Sequence, residues 1–247
     1  MSLPPIESHA VLDSTNAEAR RRAEAGDFGP VWIHALEQTS GRGRRGRPWR
    51  GGEGNLAATL LTPIDQLPAE AAQVSFVAAV ALCETVNALA GPAASKLRWP
   101  NDLHVAGGKA AGILLESGPR PGGGLWLAVG IGVNLASAPP RDQVERPASA
   151  LADLPGFQPP SPAVFLARLA ERFEAWQQVW SREGFAPVAA AWTALADGLG
   201  GPCTARLPDR TLSGIAEALD ADGALRLRLD GGETVRITAG DVFFGDD

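Results

Sequence analysis

The chain is poor in the residues that build disulfide frameworks and metal centres. Only two of its 247 residues are cysteine, Cys83 and Cys203, and they lie far apart. The three histidines, His9, His34 and His104, stand in no ligand spacing with them. Neither a disulfide scaffold nor a histidine/cysteine metal site is expected, and a reduced, cytoplasmic protein is. Positive charge is also short: Lys+Arg 22 face Asp+Glu 28, for a formal net charge of -6. That balance argues against an overall electrostatic grip on nucleic acid or on an anionic membrane. No apolar run reaches the roughly 20 residues of a membrane-spanning helix. The longest, 74–83, is interrupted by Ser75 and stopped by Glu84. The opening MSLPPIESHA carries no basic stretch followed by an apolar core, so no secretory signal is expected. Gly 29 and Pro 20 come without a repeat period, which removes collagen-like and low-complexity readings. What is there, 45% hydrophobic and 20% charged residues, suits a soluble globular chain of one large domain with or without a small one.

Asp13-Ser14-Thr15-Asn16 reads as a helix start. Thr15 with Glu18 three residues on fits a capping box, and Gly26 offers a stop. Strands are predicted over 31–36 and 55–62, with a Gly/Arg-rich loop between them. A single long apolar helix is predicted over 68–90, ended by Gly91-Pro92. Short strands over 96–99, 110–116 and 125–135 are separated by turn chemistry at Pro100-Asn101-Asp102, Gly107-Gly108 and 119–124. Residues 136–160 read as loop with one helical turn near Ser149. An amphipathic helix over 162–182 carries Phe165, Leu169, Phe173, Trp176 and Trp180 on one stripe, and a shorter helix covers 187–196. After Gly198-Leu199-Gly200-Gly201-Pro202 the pattern changes to short strands over 204–207, 212–219, 224–229 and 233–238 with hairpin turns at Asp222-Gly223 and Asp230-Gly231-Gly232. A boundary is expected near Gly198, dividing 1–197 from a small barrel of 198–247 that leans on the larger domain.

Gly41-Arg42-Gly43-Arg44-Arg45-Gly46-Arg47-Pro48-Trp49-Arg50 is the outlier. Five arginines fall within nine residues, with no acid between Gln38 and Gly52. Self-repulsion makes such a cluster costly unless an anion arrives, and guanidinium forks suit phosphate and carboxylate oxygens. The interleaved glycines let backbone N–H groups approach the same anion. A solvated basic loop is the plainer reading of an Arg/Gly run. Its place between two strands, with Trp49 at its end, favours a loop that folds over an anionic ligand. Three further segments accompany it. Arg98-Trp99-Pro100-Asn101-Asp102-Leu103 with Gly108-Lys109-Ala110-Ala111-Gly112 joins a turn to a strand containing a glycine, where a ligand can approach closely. Gly130-Ile131-Gly132-Val133-Asn134 presents bare backbone at a strand end. Ser14-Thr15-Asn16 offers a capped helix N-terminus, which serves equally as a structural cap and a polar-ligand site.

Together and in this order, DSTN at 13–16, EQTSGRGRRGRPW at 37–49, RWPNDL at 98–103, GKAAGILLE at 108–116 and GIGVN at 130–134 resemble the catalytic domain of biotin protein ligases. The resemblance is dense over 11–135 and looser beyond. It implies an α+β fold: a mixed sheet with flanking helices, like class II aminoacyl-tRNA synthetases, and a small C-terminal SH3-like β-barrel. It implies an ATP-dependent, AMP-forming ligase. Biotin and ATP with Mg2+ give biotinyl-5′-AMP, and a lysine of a biotin carboxyl carrier domain, in acetyl-CoA carboxylase or a related biotin-dependent carboxylase, then takes the biotinyl group. Because the first matching motif begins at Asp13, the resemblance is to the ligase-only type without a DNA-binding domain. Relatives pair through the sheet edge, so a homodimer is among the expectations.

Carried over residue by residue, the resemblance implies that Ser14, Thr15, Asn16 and Gln38 hold the biotin ureido ring. Arg42, Gly43 and Arg44 would belong to the closing loop, with Arg44 also facing phosphate. Lys109 would meet the carboxyl and phosphate oxygens, and Asp102 the incoming amine. Gly112, Gly130 and Gly132 would supply backbone walls, and Asn134 would lie toward the nucleotide, with Arg98 on the ATP side. Arg98 stands where the family carries lysine, so a point contact becomes a planar fork. No segment of 136–152 matches the family's adenine-stacking piece. Three other readings stay open: a lipoate or octanoate ligase on the same fold, a non-enzymatic nucleic-acid binder using the Arg/Gly loop, and an inactive scaffold that binds biotin without ligating it.

Overall fold

Strand periodicity sets the architecture of this computed structural model, which describes residues 3–245. Seven strands, β1 (Ile6–Leu12), β2 (Val31–Gln38), β3 (Leu56–Ile64), β4 (Lys96–Arg98), β5 (Asp102–Val105), β6 (Gly108–Pro119) and β7 (Leu125–Val133), form one mixed sheet in the order β1-β2-β3-β7-β6-β5-β4. β1 runs parallel to β2, and the other neighbours are antiparallel. Successive side chains go to opposite faces. Trp32, Leu60, Leu127, Val129 and Ile131 join the main core, while Ile33, Leu61, Trp126 and Ala128 join a second, smaller core. Helix α1 (Thr15–Glu24) covers the smaller one with Ala19 and Ala23. The other face is covered by α3 (Val74–Ala90), α4 (Pro162–Glu183) and α5 (Phe185–Leu195), which follow a single-turn α2 (Pro68–Ala71). The Trp32 and Phe173 rings meet edge to face at 5.7 Å, tying α4 to the sheet.

Residues after 198 form a five-stranded antiparallel sheet of β8 (Pro202–Arg206), β9 (Thr211–Leu219), β10 (Leu225–Leu229), β11 (Thr234–Ile237) and β12 (Asp241–Phe244), in the order β11-β10-β9-β8-β12. Leu225 and Leu227 are buried while Arg226 and Arg228 between and after them are exposed. This sheet shares the main core. The β9–β10 turn sits on Phe76, and the Trp99 indole N–H donates to the Gly223 carbonyl at 2.9 Å.

Several expectations are corrected. The helix predicted over 68–90 is interrupted at Ala72-Gln73: the Gln73, Ser75 and Phe76 N–H groups make i→i−3 bonds, and the Gln73 side chain accepts from Trp180. That whole stretch is nonetheless long and apolar enough to span a bilayer, contrary to expectation. Here most of it is buried, serving as the core helix between the sheet and α4/α5. β1 was not predicted, because its exposed positions give no clean alternation. β5 was read as part of a turn. β12 was missed because Gly240 and Asp241 at its start leave only three apolar residues to signal a strand.

Candidate active site

The sheet face under α1 empties toward the C-terminal end of β7. Positions 126, 128, 130 and 132 point the same way and shrink from Trp and Ala to Gly and Gly. Their cross-strand neighbours on that face are Ala57, Thr59 and Leu61 on β3 and Gly112, Leu114 and Glu116 on β6. The missing side chains leave a cavity of about 300 Å³, at the small end of the range for ligand pockets. Its far wall is the start of α1, its lid the arginine loop, and its side wall residues 139–148.

The α1 end is a closed polar network. Ser14, not Thr15, is the N-cap: its hydroxyl accepts from the Ala17 N–H. Glu18 turns instead to Arg21 and Arg22. Thr15 is thereby freed for the cavity, and its N–H donates to Gln38 Oε1 at 2.8 Å. The Thr59 hydroxyl lies 2.8 Å from Thr15 Oγ1 and 2.7 Å from Asn16 Oδ1. The Asn16 amide donates to Glu116 at 2.9 Å, whose other oxygen takes Arg20 at 2.7 Å. All of Ser14, Thr15, Asn16 and Thr59 are buried. Two glycines are required here. A Cβ at Gly130 would fall on Asn16 Oδ1, and one at Gly132 on the Trp49 indole.

The opposite end is ionic. Lys109 Nζ meets Asp102 Oδ1 at 2.6 Å. Arg44 donates to Asn101 Oδ1 at 3.3 Å, and the Asn101 amide is itself held by the Ile113 carbonyl. Burial pushes the Arg44 guanidinium below its ordinary pKa, Asp102 and Asp241 oppose that shift, and Arg45 and Arg47 reinforce it by repulsion. The loop thus holds a desolvated cation with no carboxylate bonded to it, which an incoming anion would stabilise. The outer guanidiniums do have such a partner. Arg45 and Arg47 reach Asp241 of β12 at 2.9 and 2.7 Å. Burial works against ionisation of Asp241, and Arg47, Arg45 and Arg146 outweigh it, leaving its pKa below the usual carboxylate value. Asn134 is buried, its amide donates to the Ser149 carbonyl, and its Oδ1 has no partner among the described residues. An unpaired buried acceptor lining a cavity calls for a ligand donor.

Every site residue expected from the sequence lines this one cavity except Arg98. The Arg98 guanidinium is bound to Asp197 at 3.0 Å beyond the β4 end, so the planar fork faces the α5 terminus rather than the ligand space. Sequence reasoning missed Thr59, Glu116, Trp49 as a wall, the 139–148 side and Asp241. Thr59 carried a signal, a polar residue inside an apolar strand. Asp241 carried none, since its partners are 194 and 196 residues away. Among the described residues no group of three or more His, Cys, Asp or Glu could hold a metal. The carboxylates at the cavity, Asp102, Glu145 and Asp241, each face a cation already.

Comparison with known proteins gives two family matches: the Biotin/lipoate A/B protein ligase family over residues 11–135 and the Biotin protein ligase C terminal domain over 198–245. A biotin–[acetyl-CoA-carboxylase] ligase of Paracoccus denitrificans is 46% identical over 248 residues, covering 96% of this chain and 99% of its own. The enzyme of the same name from Mycobacterium tuberculosis is 34% identical over 239 residues, covering 94% of this chain and 86% of its own. The structure of an Aquifex aeolicus biotin protein ligase in complex with biotin and ATP has the same fold, with a TM-score of 0.82 at 21% identity over 98% of this chain and 99% of that one.

Proposed function

The chain belongs to the biotin protein ligase family, and on that premise we propose that it joins biotin to ATP as biotinyl-5′-AMP and passes the biotinyl group to one lysine of the biotin carboxyl carrier domain of acetyl-CoA carboxylase. The observation that carries this is the polarity of the cavity. A neutral donor–acceptor network at one end faces a cationic cluster at the other, which is the layout a uncharged ureido ring and two reacting anions require.

In the first half-reaction a biotin carboxylate oxygen attacks the α-phosphorus and pyrophosphate leaves. Both reactants are anions. Arg44 and Lys109, fixed in a site shielded from water, offset their repulsion and the charge that builds on phosphorus. Arg42 and Gly43 close the loop, Gly112, Gly130 and Gly132 form the floor, and Asn134 Oδ1 accepts from the nucleotide. In the second half-reaction the carrier amine attacks the acyl carbon and AMP leaves. A free lysine is protonated at neutral pH, with a pKa near 10.4, and Asp102 is the carboxylate placed to take its proton. The described residues offer no group of three or more metal-ligating side chains, and Mg2+ would arrive on the ATP phosphates and offset their charge. The reading extends to a cytoplasmic setting, to a division of labour between residues 1–197 and 198–247, and to pairing of two chains along β1. That strand is a sheet edge, and Ile6 and Val11 on it and Leu36 beside it are exposed.

The ureido-binding end also separates biotin from lipoate. A dithiolane ring carries no N–H or carbonyl group, so it would displace water from Thr15, Asn16 and Gln38 without replacing the hydrogen bonds that water makes there. A carrier-labelling assay with labelled biotin and ATP tests the whole reading, and titration calorimetry with biotin and with lipoate tests the specificity. ATP-dependent labelling of the carrier and tight biotin binding are expected. Lipoate heat without biotin heat would transfer the chain to the other branch of the family.

A further inference from the structure

We propose that Asp241, in the C-terminal sheet, is a positioning residue for this reaction: it docks the outer guanidiniums of the arginine loop and so keeps the loop shut over the acyl adenylate between the two half-reactions. The proposal rests on the biotin ligase reading for its consequence, though not for the docking itself.

Three observations carry it. First, both Asp241 oxygens are engaged from the loop. Oδ2 takes Arg45 Nη1 at 2.9 Å and Arg47 Nη2 at 2.7 Å, and Oδ1 faces Arg47 Nη1 at 3.4 Å. Second, the loop bends for this contact. Arg45 has φ 57°, in the left-handed region that glycine favours, although the loop has glycines at 41, 43 and 46. A non-glycine residue persists there when surrounding contacts hold it. The side chain that this turn presents is the one that reaches Asp241. Third, Asp241 is itself anchored. β12 pairs with β8 from Asp241↔Arg206 to Phe244↔Cys203. The Phe243 ring lies between the Arg146 and Arg206 guanidiniums at 3.8 and 4.3 Å, and Arg206 reaches Glu145 at 3.2 Å. Glu145 also faces Arg47 at 3.7 Å. The lid and the 139–148 wall therefore close on the same strand pair of the C-terminal sheet. Arg44 bonds no carboxylate among the described residues, while Arg45 and Arg47 are taken up by Asp241. The division leaves one cation for substrate and uses two as a latch.

The test uses the full chain with Asp241→Asn, which keeps the side-chain shape and removes the charge, and Asp241→Glu as the conservative variant. Limited trypsin digestion of the ligand-free protein reads docking directly through cleavage after Arg45. We expect cleavage about tenfold faster in D241N and restored toward the wild-type rate in D241E, with the melting temperature little changed. With adenylate formed in place, we expect biotinyl-AMP to be released about tenfold faster from D241N, while the rate of its formation falls less. Arg45→Gln/Arg47→Gln removes that cleavage site and should reproduce the faster release of biotinyl-AMP, and adding D241N to it should speed release no further. Wild-type rates of cleavage after Arg45 in D241N overturn the latch, and if D241N misfolds, wild-type adenylate retention by R45Q/R47Q does so instead. Should the wild-type protein form no biotinyl-AMP at all, the ligase reading fails, and the trypsin comparison still decides the docking.

Discussion

Lys109 and Asp102 face each other at 2.6 Å across the β5–β6 hairpin, each the other's counter-ion until substrate arrives. On the proposed reaction, an entering carboxylate and phosphate would give Lys109 better-placed anions and release Asp102 for the amine. Lys109→Ala should therefore lower adenylate formation by about 10²–10³-fold, the cost of one charge-stabilising donor, and biotin affinity by much less. Pyrophosphate release under single-turnover conditions checks this, and an unchanged rate refutes the role. Asp102→Ala should slow transfer to the carrier more than adenylate formation. Normal transfer from pre-formed adenylate would remove Asp102 as the base. At the other end of the cavity, Thr59→Val keeps the volume and deletes the hydroxyl that fixes Thr15 and Asn16. Losing such buried bonds costs about 1–2 kcal/mol, so biotin should bind about tenfold more weakly by calorimetry with the fold intact. That Thr15, Asn16, Gln38, Arg44 and Lys109 share one site was legible because their motifs stand in order along the chain. Thr59 and Glu116 were not, because their importance lies only in what they touch.

At the level of elements, one strand decides where the ligand goes. β7 packs Trp126 and Ala128 under α1, then runs out of side chains at Gly130 and Gly132. Gly130→Ala would drive a methyl group onto Asn16 Oδ1 and break the network that β7 helps to enclose. We expect biotin binding to be lost while far-ultraviolet circular dichroism and melting change modestly. Retention of tight binding would show that the cavity floor lies elsewhere. The helix start is equally specific. Ser14→Ala removes the side-chain cap of α1 at a cost of about 1 kcal/mol, whereas the same change at Thr15 should act on ligand affinity rather than on helix stability. The sequence pattern found α1, β2, β3, β6, β7, α4, α5 and β8 to β11, each with apolar spacing of period 2 or 3.6. It ran one helix through Ala72-Gln73, where the fold has two, and missed β1, β5 and β12. Those short or exposed strands owe their form to ladder partners, and a ladder partner is a tertiary fact.

Across the whole molecule, the two sheets are welded by the main core and by the arginine loop, so loop closure and C-terminal packing are linked. The stability of the assembly also has a built-in acid response. His34 is buried in β2 with Nε2 unpaired; burial, reinforced by the charge of His9, lowers its pKa from the ordinary 6.5. The unfolded chain then binds a proton that the folded chain resists. Its contribution is complete above the unfolded value and declines as pH falls from there toward the lowered folded value. Melting temperature should accordingly drop as pH falls below about 6.5, and His34→Gln should flatten that slope. An equally steep slope in the variant would assign the response to other groups.

The sequence by itself determined the chemistry. An acid-free run of arginines, a lysine beside an aspartate, and glycines where a ring must lie close are properties of residue type and order, and they carry the family with them. Only the tertiary structure decided which amide or carboxylate each of those cations meets. Arg44, Arg45 and Arg47 are the same residue in the same loop, and Arg98 matches its motif as well as any. Their partners, Asn101, Asp241 and Asp197, are brought to them by strand pairing and helix ends far along the chain. A guanidinium's role is set by the field around it, and that field exists only once the chain has folded.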